Sequence, residues 1–90
     1  MLSLTDCLDF VDLDEATIEV IARHEELPII VAAELGHQLL GDLRGIYRIH
    51  LMHRDLIEAA AESGHLDDEK RLRKSYQAFN RKYPVPRQLP

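Results

Sequence analysis

Ninety residues suffice for one domain, near the lower limit at which a chain supports its own hydrophobic core. Apolar residues make up 46% and charged residues 30%, the balance of a globular chain, and no apolar run approaches the roughly 20 residues of a membrane-spanning helix. The net charge of −5 opposes binding of the whole molecule to a phosphate backbone, and the lone Cys7 excludes an internal disulfide framework.

The opening run, MLSLTDCLDF, lacks the basic region and small-residue cleavage site of a signal peptide, so a cytoplasmic location is expected. It alternates apolar and acidic residues: either Thr5 caps one turn of helix, or the segment lies extended and docks Leu4, Leu8 and Phe10. Asp12, with Glu15 three residues on, forms a capping-box-like start for a helix from about Leu13 to Glu26. Its apolar stripe reads Leu13, Ala16 or Thr17, Val20 and Ile21, then His24 and Leu27.

Pro28 ends that helix and opens the next, PIIVAAELGHQLL, with Gly41 as a C′ residue. This stretch is apolar nearly all round, and a helix of that kind has to be surrounded. The expected architecture is therefore all-α: a bundle of about four helices with residues 28–40 as its central hydrophobic helix, completed by dimerisation. Ala32, Ala33, Gly36 and Leu40 are the expected interface, because small residues let a second backbone come close.

Asp42 caps a third helix reaching Glu62 or Ser63, although Gly45 in its first turn weakens the start. Its inward face reads Leu43, Ile46, Tyr47, His50, His53, Ile57, Ala60 and Ala61, and Gly64 terminates it. The fourth helix spans about Leu66 to Lys82, with Asp67, Asp68 and Glu69 at its positive end and Arg81 and Lys82 at its negative end. Leu72, Tyr76, Phe79 and Tyr83 form one stripe at helical spacing. Pro84 and Pro86 stop the helix, so a single domain over residues 1–83 is followed by a tail, 84–90.

Charge is unevenly distributed. Residues 1–34 hold nine acids and one base, whereas residues 70–90 hold seven bases and no acid. This split marks either an acidic-partner or nucleic-acid surface or mutual attraction of the two ends, and overall acidity favours attraction. Lys70, Arg71, Arg73 and Lys74 form the basic face of the last helix.

The residues with chemical potential are histidines. Glu34 and His37 make a Glu-x-x-His pair, the i, i+3 spacing of carboxylate-bridged di-iron bundles, and His50 and His53 repeat that spacing on the third helix. These four are the candidate ligands for a transition metal, iron or zinc. The alternative is that such histidines hydrogen-bond carbonyls or carboxylates at the edge of the core. A neutral imidazole on a packed face also becomes costly on protonation, the basis of a pH-switch reading. No catalytic constellation assembles: Asp6 and Asp9 beside Cys7 disfavour its thiolate, and the serines and glycines form no elbow or phosphate loop.

LTDCLDF, IARHEELPIIVAAELG and FNRKYP together resemble a group of short bacterial helical proteins with no assigned activity. The resemblance implies a helical single domain in a bacterial cytoplasm and carries no ligand or catalytic residue. The function expected from the sequence is a non-enzymatic interaction or structural module acting as a homodimer, without a cofactor. A metal-binding helical protein and a nucleic-acid or acidic-partner adaptor are the two alternatives.

Overall fold

The computed structural model describes residues 13–87. Its elements are four helices, α1 (Glu15–Glu25), α2 (Ile29–Leu39), α3 (Leu43–Glu62) and α4 (Leu66–Lys82), joined by connectors of three residues each. Such short links bring consecutive helices into contact, and α1 touches all three others. Asp12, Cys7 and the expected docking residues Leu4, Leu8 and Phe10 lie outside the described residues. Among those described, no helix is long and apolar enough to cross a membrane.

The local signals for helix ends are largely obeyed, with three instructive departures. The Asp42 side chain accepts from the Gly45 N–H at 2.8 Å, as an N-cap should, and Gly64 closes α3 at φ +74° with His65 N–H donating to the Ala60 carbonyl. At the start of α1, however, the N-cap position belongs to Asp14, which makes no side-chain cap bond. The left-handed residue that ends α1 is Glu26 (φ 55°), not a glycine; its conformation lets Leu27 N–H reach the Ala22 carbonyl at 3.0 Å. Gly41 does not adopt positive φ. The tightened end of α2, where Gly41 N–H donates to the Gln38 carbonyl, takes its place.

The enclosed helix is α1, and this corrects the expectation that residues 28–40 are central. Thr17, Ile18, Val20 and Ile21 are all buried, because α2, α3 and α4 cover α1 from different directions. Burying each large aliphatic side chain of this kind stabilises the fold by about 1.5–3 kcal/mol. Helix α2 packs on α1 and α3 through Ala32, Ala33, Gly36 and Leu39 and leaves its opposite side outward. Its small residues are the ones that allow close approach, so they take the inner face and push Ile30 and Val31 outside. The proposed interface residues Ala32, Ala33 and Gly36 are thus closed by their own chain: a Cβ on Gly36 would come within 2.5 Å of Leu13 Cδ1 and 3.1 Å of Ile21 Cδ1.

The stripe of α3 is rotated from the sequence reading. Ile49 and Met52 are core residues, whereas Leu43 and Ala61 are exposed. Gly45 has a positive role: a side chain there would collide with the Leu39 carbonyl, so its absence is what allows the end of α2 to lie against the first turn of α3. The aromatic stripe of α4 is placed as the spacing predicts, with Leu72 and Phe79 buried and Tyr76 and Tyr83 half-buried.

Two substitutions near helix ends should therefore move stability in opposite directions. Gly45→Ala, which would normally strengthen a helix, should instead cost about 1–3 kcal/mol because the obstacle is backbone. Glu26→Gly should stabilise by about 0.5–1 kcal/mol through relief of the left-handed conformation. Urea unfolding followed by circular dichroism measures both; a Gly45→Ala midpoint at or above that of the parent protein would refute the close-approach account.

Candidate functional site

The four candidate metal ligands fall into two separate environments. His50 and His53 lie in the seam between α3 and α4, 1% and 0% exposed, against the rings of Tyr76 and Phe79. Glu34 and His37 stand exposed on the outer side of α2. The separation follows from which face each helix buries: α3 turns its histidine pair toward the aromatic stripe, whereas α2 turns its Glu-x-x-His pair away from the small residues that pack inward. Among the described residues, no group of three or more His, Cys, Asp or Glu side chains is placed to hold one ion. The four-ligand set read from the sequence is not assembled within one chain.

His50 is a fully partnered structural histidine. Its Nε2–H donates to the Tyr83 carbonyl at 2.7 Å, which leaves Nδ1 to accept from the Tyr76 hydroxyl at 3.0 Å. The carbonyl can only accept, and this fixes the neutral tautomer. The bond joins the middle of α3 to the residue that directly follows α4, where Tyr83 N–H also closes the helix onto Phe79. Burial depresses the His50 pKa, with hydrogen bonds to the backbone of Tyr83 and Pro84 opposing.

His53 has no such partners. Both ring nitrogens are buried without a hydrogen bond, and the ring stacks on Phe79 at a centroid distance of 5.3 Å and an angle of 27°. Desolvation, aided by neighbouring His50, pushes its pKa down to about 4.

His24 has the reverse character. Its Nδ1 lies 2.6 Å from Glu25 Oε2 and its Nε2 2.8 Å from Asp55 Oδ2, so both nitrogens face groups that only accept. These carboxylates favour the protonated ring: the hydrogen bond to Asp55 raises its pKa most, partial burial opposes, and Glu25 adds to the rise. This clasp ties the end of α1 to the middle of α3. A second polar tie joins α1 to α4, where Arg23 donates to both Asp68 oxygens at 3.1 and 3.0 Å. Arg23 holds the Asp68 carboxyl below its ordinary range, with Arg71 adding to the effect. The surface clefts at these two seams are lined by the same paired side chains.

Sequence reasoning placed His24 and His50 on inward faces and allowed them carboxylate and carbonyl partners, but it did not identify the partners. Asp55 and Asp68 carry no local signal, because their significance depends on helices 31 and 45 residues away in the chain.

On the basic face of α4, Lys70, Arg71, Arg73 and Lys74 are all exposed. Arg71 is engaged with Asp68 and Arg73 with Glu69, so half of that face is neutralised by the same helix. The outer stripe of α2 combines exposed aliphatic with exposed polar side chains. Ile30 and Val31 are 48% and 43% exposed, Glu34 and His37 continue the stripe, and among the described residues neither polar side chain has a hydrogen-bond or ion-pair partner. Compared with family models, curated proteins and solved structures, the chain matches none.

The two classes of histidine give opposite pH dependences. His53 has a lowered folded-state pKa, so its contribution is intact above the unfolded value near 6.5 and is lost as pH falls toward about 4. His53→Leu should shrink the stability lost between pH 7 and pH 4.5 by about 2 kcal/mol. His24 has a raised pKa, so its contribution is intact below the unfolded value and disappears as pH climbs through the folded one. His24→Gln should therefore flatten the alkaline side of the profile. Denaturant midpoints measured across pH 4–9 test both, and an unaltered acid limb in His53→Leu would contradict the assignment.

Proposed function

We propose that this chain is a non-enzymatic interaction module that acts as a homodimer through the outer stripe of α2. The observation that carries this reading is the exposure of Ile30 and Val31 side by side on a helix whose other face is already closed. An isolated exposed aliphatic residue needs no explanation, but a β-branched pair on the most apolar helix of a small domain favours a covering partner. In a pair of chains, the edge position of α2 becomes an interior one. The burial expected of residues 28–40 is then completed by the second copy rather than by the first.

The contact differs from the one read from the sequence. Ala32, Ala33 and Gly36 belong to the intramolecular seam, and Leu40 packs against the core, so the dimer surface is assigned to Ile30 and Val31 with Glu34 and His37 beside them.

Ile30→Glu combined with Val31→Glu should convert the dimer to monomer while leaving the helical circular-dichroism signal in place. Gly36→Leu should act differently, lowering the melting temperature because it crowds Leu13 and Ile21 inside the chain. Sedimentation equilibrium reads the first effect and thermal unfolding the second. An identical mass for the parent protein and the Ile30/Val31 variant would remove the support for this interface.

A further inference from the structure

Helix α4 is held at two places by unlike means. Its first half is fixed to α1, through Asp68 on Arg23 and the buried Leu72 beside Ala16 and Val20. The turn before it is closed onto α3, where His65 N–H donates to the Ala60 carbonyl. The second half rests instead on two histidines of α3: Tyr76 and Phe79 pack against His50 and His53, and the Tyr83 carbonyl accepts from His50. Of these two rings, His50 has both nitrogens occupied, whereas His53, fully enclosed, has neither.

We propose that this seam is an acid-operated latch: a proton taken up by His53 releases residues 76–83 from α3 while the first half of α4 stays on α1. A neutral imidazole without partners is tolerated against the rings of Phe79 and Tyr76. A protonated one would bring a charge and two N–H donors into a place with no acceptor for either. His50 offers no relief, since its Nε2–H is itself a donor and its Nδ1 takes the Tyr76 hydroxyl. His50 can hold a proton where it stands, with the Tyr76 hydroxyl turned from donor to acceptor, but His53 has no such exchange. His53 is therefore the trigger, and the His50 bond to Tyr83 is the tie that gives way.

The surroundings do not favour the charged ring. On α3 the group acting on His53 is His50, and Arg54 acts on His50 in turn; both effects oppose protonation. From α4 and the residue after it come Tyr76 and Tyr83. Glu58 is exposed and shares the outer groove of the seam with Arg54, Arg73 and Tyr76. The buried faces of α1 and α2 present Thr17, Gly36 and apolar side chains, and the charged groups of α1 that reach α3, His24 and Glu25, are met there by Asp55 and Arg48. Once the seam opens, water accepts from both His53 nitrogens. Closure thus keeps its full strength above about pH 6.5 and loses it as pH falls toward about 4. Between pH 7 and pH 4.5 the ratio of open to closed seam should rise roughly fiftyfold.

Amide hydrogen exchange of the full chain, followed by NMR at both pH values and corrected for intrinsic rates, tests the latch. Protection over residues 76–83 should fall roughly fiftyfold in acid and lie below that of residues 17–22 in α1 at either pH. His53→Leu should remove most of that fall. In the parent protein, with no substitution needed, the His53 ring signals should titrate well below 6.5, toward 4. Equal protection of the two segments at pH 4.5 would mean that the domain opens as a whole, and would overturn the latch. A fall that His53→Leu leaves intact would overturn it too, as would a His53 ring that titrates at its ordinary value.

Discussion

Everything in this fold depends on the enclosure of α1. Thr17, Ile18, Val20 and Ile21 present buried surface in several directions at once, and no single neighbouring helix can cover them. An eleven-residue helix is also too short to be stable alone, so it forms only as its neighbours arrive. That requirement sets the placement of the others: α2 takes one side, α3 and α4 the remaining sides, and each then contributes its own small or aromatic face to the shared core. The close approach at Gly36, where Leu13 occupies the space a side chain would take, and the one at Gly45, where the end of α2 meets α3, are the tolerances that let three helices gather on one.

Polar chemistry then fixes the seams that apolar packing draws together. Arg23 and Asp68 pin α1 to α4, His24 and Asp55 pin α1 to α3, and His50 pins α3 to the end of α4 through the Tyr83 carbonyl. The first two lie at the surface and are screened by water, so their part is to set geometry more than to supply stability. The His50 bond is buried, and its loss would leave a desolvated carbonyl as well as an unpaired ring. His53 breaks the pattern. A ring with two unpartnered nitrogens in an otherwise apolar seam is a cost that stacking on Phe79 and Tyr76 only partly offsets.

How far the sequence could be read depended on the range of the signal. Helix limits were legible because they rest on neighbours within four residues: Asp42 before α3, Gly64 after it, Pro28 before α2 and the tail prolines after α4. The stripe Leu72, Tyr76, Phe79 and Tyr83 was legible for the same reason. The position of α2 was not. Its composition made it look enclosed on all sides, yet the choice between surrounding residues 28–40 and surrounding residues 15–25 depends on competition between helices for the same neighbours. Small residues won the inner face of α2 because they permit the closest contact, a steric outcome that an average of hydrophobicity does not register. The partners of His24 and Arg23 were illegible too, since an aspartate on a distant helix has no spacing to detect. For the candidate site the outcome was mixed: Glu34 and His37 do share one outer line of α2, whereas their grouping with His50 and His53 required α2 and α3 to point their pairs at each other, which the packing of Ala32, Ala33 and Gly36 forbids.

The internal ties also indicate where the molecule can act on something else. A side chain committed to holding two helices is a poor binding group, because using it for a ligand releases a seam. Arg23, Asp68, His24, Asp55 and His50 are all committed in this way, and Arg71 and Arg73 are held by acids of their own helix. The outer line of α2 is different: Ile30, Val31, Glu34 and His37 can be covered or liganded without any cost to the core beneath them, since Ala32, Ala33, Gly36 and Leu39 already close the inner face. Helix α2 thus has a structural side and an available side divided along its length, and its apolar excess, which misplaces it as a central helix, falls in part on the face where Ile30 and Val31 stand exposed.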